Sequence, residues 1–564
     1  MPGFSNRPRC LPALGGTALI VLVTAIAYLP ALRGGFLIDD DALLTDSSPI
    51  KAADGIYRFW CTTEPVDYWP VSNTSLWIEW RLWGNDPIGY HVTNVVLHIV
   101  DACLIWMLLW RLAIPGALLA ALLFAVHPVN VESVAWIAQR KNLLALFFML
   151  LCTLSYCATA ARASQPAARR WYRIALAAFI LALLSKVSAA MLPLLFVGLL
   201  WWTRRLERRE LAGLAPFFLV AVAMVCVNLW FRGSGSGILA PAGGPTERLL
   251  GAAALVWFEL GKALVPINLA FIYPRWQIAS DQVRWWLPLL AASALTAVLW
   301  WCRRSRRGRA ALFGWGFYCA ALLPAMGFTE RLVVADHYQH VALIGLVALA
   351  GAAWAEWQRS TRGAQRYLAN GAAIAVVGVF ALLSSRQSRL YRDNVTLFQD
   401  AVDKHLDAAS AHRNLAYVLL KEGRLSAAGA HLQEALRLDP EYPEAHIDFG
   451  ITLAQIGNLQ AGIAQLQEAV RLRPDDAAAH NALGMILREA GRPQEAIDHL
   501  ERALTLQPTL AAAYRHLGKT LLETGRFDEA IAAYRQALRL KPDDGDAQHG
   551  LNEALAARRE PERP

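Results

Sequence analysis

Residues 511–542 read AAAYRHLGKTLLETGRFDEAIAAYRQALRLKP. Tyr514, Leu517 and Gly518 mark a first helical pattern and Gly525 interrupts it. Ala530, Tyr534 and Ala537 mark a second pattern, which Pro542 ends. The small residues let two antiparallel helices approach closely, and proline cannot continue a helix. The same signature recurs upstream. Pro440, Pro474, Pro508 and Pro542 are each 34 residues apart, as are Gly423, Gly457, Gly491 and Gly525, and Ala435, Ala469, Ala503 and Ala537.

A helical hairpin with that period and those small residues is the tetratricopeptide pattern. Four repeats are present, the register extends back to Phe398 and Ala401 as a half-repeat, and Asp546 to Leu555 reads as a polar capping helix. The expectation is an α-solenoid over 391–560, following a different domain over 1–390. Such a stack offers a binding surface and no catalytic chemistry of its own.

Upstream of Asn394 the chain changes character. Apolar residues make up 56% of the whole and charged residues 18%, with a mean hydropathy of +0.31. Soluble domains carry about a quarter charged residues. The 21 tryptophans suit span ends at a lipid–water interface. The net charge of +9 comes from Arg clusters set between apolar runs, which points to membrane topology and away from nucleic acid. Cys103, Cys152, Cys157, Cys226 and Cys319 lie inside apolar runs, and no CxxC pair suggests zinc, a redox motif or a disulfide.

The first apolar run, Leu11 to Leu32, follows a basic N-terminus and is long for a signal peptide, so a retained span is expected. Further runs lie at 91–111, 116–128, 142–160, 171–186, 188–202, 211–231, 285–302, 310–328, 340–357 and 367–385. Together they predict an all-α polytopic domain of about eleven spans. With that number, Arg162 to Arg173, Arg204 to Arg209, Arg303 to Arg309 and Arg359 to Arg366 all fall on the cytoplasmic side, and the repeats fall outside. Leu249 to Pro266 carries Glu259 and Lys262 and reads as an interfacial or re-entrant helix.

The outer loops hold an unusual share of polar residues. Asp39, Asp40 and Asp41 follow the first span. Three adjacent carboxylates either form a solvated acidic turn or face a cation or a basic partner. Glu64, Asp67, Tyr68, Trp69, Pro70, Asn73 and Arg81 come next, and His91, Asn94 and His98 are spaced to share one helix face. The next loop carries His127, Glu132, Arg140, Lys141 and Asn142. Lys186 lies near another outer end, and Thr329, Glu330, Arg331, Asp336 and His337 lie in a later loop. Basic groups converging there would suit a phosphate, or else they form intramembrane ion pairs that hold helices together.

These stretches carry a resemblance. Phe36 to Asp41, Gly89 to His98, His127 to Trp136, Ser185-Lys186, Val334 to Tyr338 and Tyr391 to Phe398 resemble bacterial membrane proteins that join a GT-C-like glycosyltransferase domain to tetratricopeptide repeats. These are relatives of the TMTC protein O-mannosyltransferases. The resemblance implies sugar transfer from a polyprenyl-phosphate donor to an acceptor hydroxyl, on the periplasmic side of a bacterial inner membrane. It implies catalytic roles for Asp39, Asp40 and Glu132, and donor-phosphate roles for His127, Arg140, Lys186, Arg331 and His337. Asp39, Asp40 and Asp41 are the residues that would hold a divalent cation, magnesium or manganese, if one is used. The solenoid would hold a protein acceptor or partner. The other reading is a non-catalytic membrane anchor for a scaffold of repeats, which has no use for Asp39, Asp40 and Glu132 beside a basic cluster.

Overall fold

A computed structural model describes residues 14–65, 67–161, 167–204, 206–235, 244–274, 276–326 and 334–559. Among them every regular element is helical. The chain divides into two compact units, Met1–Leu397 and Phe398–Pro564, so the division falls inside the helix Asn394–Lys404.

Among the described residues of the first unit, six helices are long and apolar enough to cross a membrane: Leu14–Arg33, Pro87–Arg111, Ile137–Thr159, Arg208–Phe231, Val283–Arg304 and Ala364–Arg392. A bent pair, Ala117–Ala125 with Pro128–Ala135, makes up to 7, short of the eleven or so expected. The bend of 50° falls at His127-Pro128. Proline pushes the residue before it out of the helical region, and His127 is extended at ψ 127. The runs at 171–186, 188–202 and 340–357, and the described part of 310–328, also form helices, but these are short or carry charge at one end. Ala167–Ser185 opens on Arg169 and Arg170, Arg306–Leu322 on Arg306 and Arg307, and Leu343–Ser360 closes on Glu356 and Arg359.

Several candidate spans have little protein around them. No residue of Val283–Trp301 is buried, and Leu219, Val222, Trp230, Leu287 and Ile374 are exposed. Apolar faces of that extent are solvated by lipid, and the protein is a multi-pass membrane protein. Elsewhere the helices pack tightly. Gly116, at φ 70, lies against Gly351, where an added Cβ would meet the Gly351 carbonyl oxygen at 2.0 Å. The stretch 249–266 lies mostly within Pro245–Leu264, which buries Leu250, Leu255, Val256 and Glu259 and is tied to the core by the Tyr318 hydroxyl donating to the Val256 carbonyl at 3.1 Å.

The second unit is a stack of helix pairs: Ala409–Lys421 with Leu425–Leu438, Pro443–Gln455 with Leu459–Leu472, Ala477–Glu489 with Pro493–Leu506, and Ala511–Glu523 with Phe527–Leu540. Gly423, Gly457, Gly491 and Gly525 turn each pair at φ between 73 and 89, a region that only glycine enters at no cost. Ala435, Ala469, Ala503 and Ala537 are all 0% exposed. Side chains one repeat apart link neighbours: Arg413 donates to Asp448 at 2.7 Å and Arg488 to Glu523 at 2.8 Å. The capping helix runs Gly545–Arg559 and buries Ala547, Gly550 and Ala554.

Candidate active site

The segment after the first helix turns through the short helix Ile38–Asp40. Asp40 points inward and is fully buried. Its Oδ2 accepts from the Leu37 N–H at 2.9 Å and its Oδ1 from the Ala138 N–H at 2.7 Å. Asp40 thus ties this segment to the second polar loop. Burial pushes its carboxyl up to about 8, against the pull of those two N–H groups. Its neighbour Asp39 is exposed. The dense surroundings raise its carboxyl, while the charges of Lys141 and His337 pull it back down. Asp41 accepts from the Thr45 hydroxyl at 3.1 Å. The three carboxylates therefore diverge. Among the described residues no three His, Cys, Asp or Glu side chains are disposed to hold a metal ion, so no step below is routed through one.

The second loop supplies three differently employed groups. His127 is 2% exposed, donates from Nε2 to the Ala263 carbonyl at 3.0 Å and accepts the Val129 N–H at Nδ1, so both ring nitrogens are committed to backbone. Glu132 is 3% exposed and grips His337: Oε2 accepts the His337 N–H at 3.0 Å and Oε1 the His337 Nδ1–H at 2.7 Å. Arg140, expected at a donor phosphate, is 0% exposed. Its guanidinium donates to Glu79 at 2.7 Å, Ser75 at 3.1 Å, the Tyr90 carbonyl at 2.9 Å and the Asn94 side chain. That is the helix-holding ion pair of the alternative reading.

The neighbouring Lys141 is half-buried and makes different contacts. Its ammonium lies 4.1 Å from the centre of the Trp69 ring, and its charge acts on both Asp39 and His337. Lys186 donates to Asn142 Oδ1 at 2.6 Å, lies 5.8 Å from the Tyr338 ring, and its charge also acts on His337. The Ser72 hydroxyl donates to the Ser185 carbonyl at 3.0 Å, holding the Lys186 turn to the helix Pro70–Trp83. Arg331, with Thr329 and Glu330, lies outside the described residues. Asp39, Lys141, Lys186 and His337 therefore form one electrostatic cluster drawn from four separate segments, with the Trp69 ring beside Lys141 and the Tyr338 ring beside Lys186.

His91, Asn94 and His98 do share one buried face of Pro87–Arg111, and two of them are tied to backbone. Asn94 donates to the Val134 and Trp136 carbonyls, both at 3.2 Å, and His98 bonds the Ala125 carbonyl at 2.9 Å. Arg81 lies 3.3 Å from the Trp77 ring centre and donates to the Ile50 and Ala52 carbonyls. Two acids beside the cluster are visible in the sequence but are given no site role there. Asp336 accepts from the Tyr273 hydroxyl at 2.8 Å, and the fully buried Glu259 accepts from Gln339 at 2.7 Å. The only signal for the second was an acid inside an apolar run.

Models of the tetratricopeptide repeat match residues 396–486 and 475–543. A protein O-mannosyl-transferase of Caenorhabditis elegans is 23% identical over 453 residues, 76% of this chain and 63% of that protein. The protein O-mannosyl-transferase Tmtc3 of Drosophila melanogaster is 23% identical over 517 residues, covering 75% of this chain and 55% of its own length. The chain thus spans less than two thirds of the curated relatives it matches. Among solved structures, a tetratricopeptide protein of Thermus thermophilus is 26% identical, covers 32% of this chain and 95% of its own, and has a TM-score of 0.27. The chain is a multi-pass membrane relative of the TMTC protein O-mannosyl-transferases and carries tetratricopeptide repeats.

Proposed function

We propose that the protein is a glycosyltransferase that moves a sugar from a polyprenyl-phosphate donor to an acceptor hydroxyl, in protein O-glycosylation, on the periplasmic face of a bacterial inner membrane. The observation that carries this reading is an exposed acid, Asp39, within electrostatic reach of Lys141 and His337, with Lys186 beside them. The activity for which the relatives are named, protein O-mannosyl transfer, supports the same chemistry.

The roles divide by direction. Asp39 is the general base for the attacking hydroxyl. Lys141, Lys186 and His337 face the donor phosphate and stabilise it as it leaves. Asp40, Arg140 and His127 are bound to the protein and hold this geometry. The repeats present a surface for a protein acceptor or partner.

The test compares glycans on periplasmic proteins and the cell surface, by mass spectrometry, in cells with wild-type chain, Asp39→Asn or none. We expect a sugar modification that disappears in the second and third. Normal modification with Asp39→Asn, at wild-type protein level, would return the membrane domain to the role of an anchor for the repeats.

A further inference from the structure

Glu132 has both carboxylate oxygens on one neighbour, the backbone N–H and Nδ1–H of His337, and is 3% exposed. A carboxylate held in this way does not reach a substrate and acts through the imidazole. Two bonds from one residue fix the position and tautomer of the ring, and they leave Nε2 as the nitrogen that Glu132 does not engage. The charged groups acting on that ring are Glu132, Lys186 and Lys141. It acts in turn on Asp39 and His340, and the Tyr338 ring lies 4.4 Å away. Burial lowers the affinity of the ring for a proton, Glu132 raises it, and the two lysines lower it again; the balance is below the ordinary histidine value. An anion arriving between the lysines would reverse that balance.

We propose that Glu132 is a positioning residue for His337, and that a phosphate anion seated by Lys141 and Lys186 binds together with one proton on the His337 imidazole. This rests on the donor reading above. In transfer, the acceptor oxygen bonds the anomeric carbon of the sugar and its proton passes to Asp39. The bond from that carbon to the phosphate oxygen breaks with its electron pair on the oxygen. A diester with one negative charge becomes a monoester approaching two, since the second ionisation lies near about pH 6. An imidazolium held opposite that oxygen meets the new charge with a charge-assisted hydrogen bond.

Binding of farnesyl phosphate to the full-length protein in detergent tests this, between about pH 7 and 9, where the probe is already a dianion. Wild type should bind more weakly as pH rises, approaching about ten-fold per pH unit, because a proton must be taken up. Calorimetry in buffers of different ionisation enthalpy should read an uptake approaching one proton. Glu132→Gln should flatten the slope and reduce the uptake, and His337→Gln should abolish both. If Glu132→Gln does not fold, His337→Gln carries the comparison. Binding with no slope, or with an unchanged slope in His337→Gln or a folded Glu132→Gln, overturns the proton coupling and leaves the donor site standing. No binding of farnesyl phosphate by wild type at any pH overturns the donor reading and the coupling with it.

Discussion

Replacing Arg140 by alanine should damage the fold, whereas replacing Lys141, one residue on, should damage the chemistry. Arg140 is 0% exposed and its ion-pair partner Glu79 has a side chain 7% exposed. Removing the guanidinium leaves the Glu79 carboxylate buried without its cation, which costs about 3–5 kcal/mol. It also strips a donor from Ser75, the Tyr90 carbonyl and Asn94, so the upper end applies. Against a total stability of about 5–15 kcal/mol, that loss should sharply lower the melting midpoint of the detergent-purified protein and its yield in membranes. Arg140→Ala combined with Glu79→Ala should recover part of it, because no uncompensated charge remains. Lys141→Ala, at a half-buried site whose ammonium rests on the Trp69 ring, should cost about 0.5–2 kcal/mol, well short of Arg140→Ala, yet weaken phosphate binding. The reasoning fails if Arg140→Ala melts like wild type while losing only activity. Arg140 would then face the substrate.

Asp39→Asn should leave the melting curve unchanged and slow transfer by about 10²–10⁴-fold, read in single-turnover kinetics. Asp40→Ala should instead lower stability by about 1–3 kcal/mol, because the Leu37 and Ala138 N–H groups lose their acceptor; denaturant titration would show it. Gly525→Ala, at φ 75, should cost about 1–2 kcal/mol in the thermal unfolding of a fragment beginning near Asn394. In that fragment His412 and His431 meet at 3.1 Å between Nδ1 atoms, and His480 and His499 at 3.0 Å. Burial and the partner ring hold His431 and His499 below the ordinary value, so the folded state favours the neutral rings. Stability should therefore be fully present above about pH 6.5 and fall as pH drops through it; an unchanged melting midpoint at about pH 5 would refute this.

The helical repeats were legible because their determinants are local. Each pair buries its own alanines, turns on its own glycine, and reaches only to the next repeat, as Arg413 does to Asp448. Composition and run length likewise announced membrane helices, since lipid demands apolar surface whatever the neighbours are. Their number was less legible: a run of apolar residues does not reveal whether proline bends it, as at His127-Pro128, or whether it ends short of the bilayer's thickness.

The site is of the other kind. Sequence picked out Asp39, Lys186, Glu132 and His337 as polar groups where apolar runs need none, but direction belongs to tertiary packing. Asp39 and Asp40 are adjacent, yet one is exposed and the other is locked to the Ala138 N–H across 98 residues. Arg140 and Lys141 are adjacent, yet one is spent inside on Glu79 and the other faces the cluster. The pairing of Glu132 with His337 spans 205 residues. Local periodicity fixed the repeats and the apolar helices because each helix settles its own backbone. Which side chain of a polar pair points into protein and which toward a ligand depends on partners distant in the chain, and only the packed helices bring those partners together.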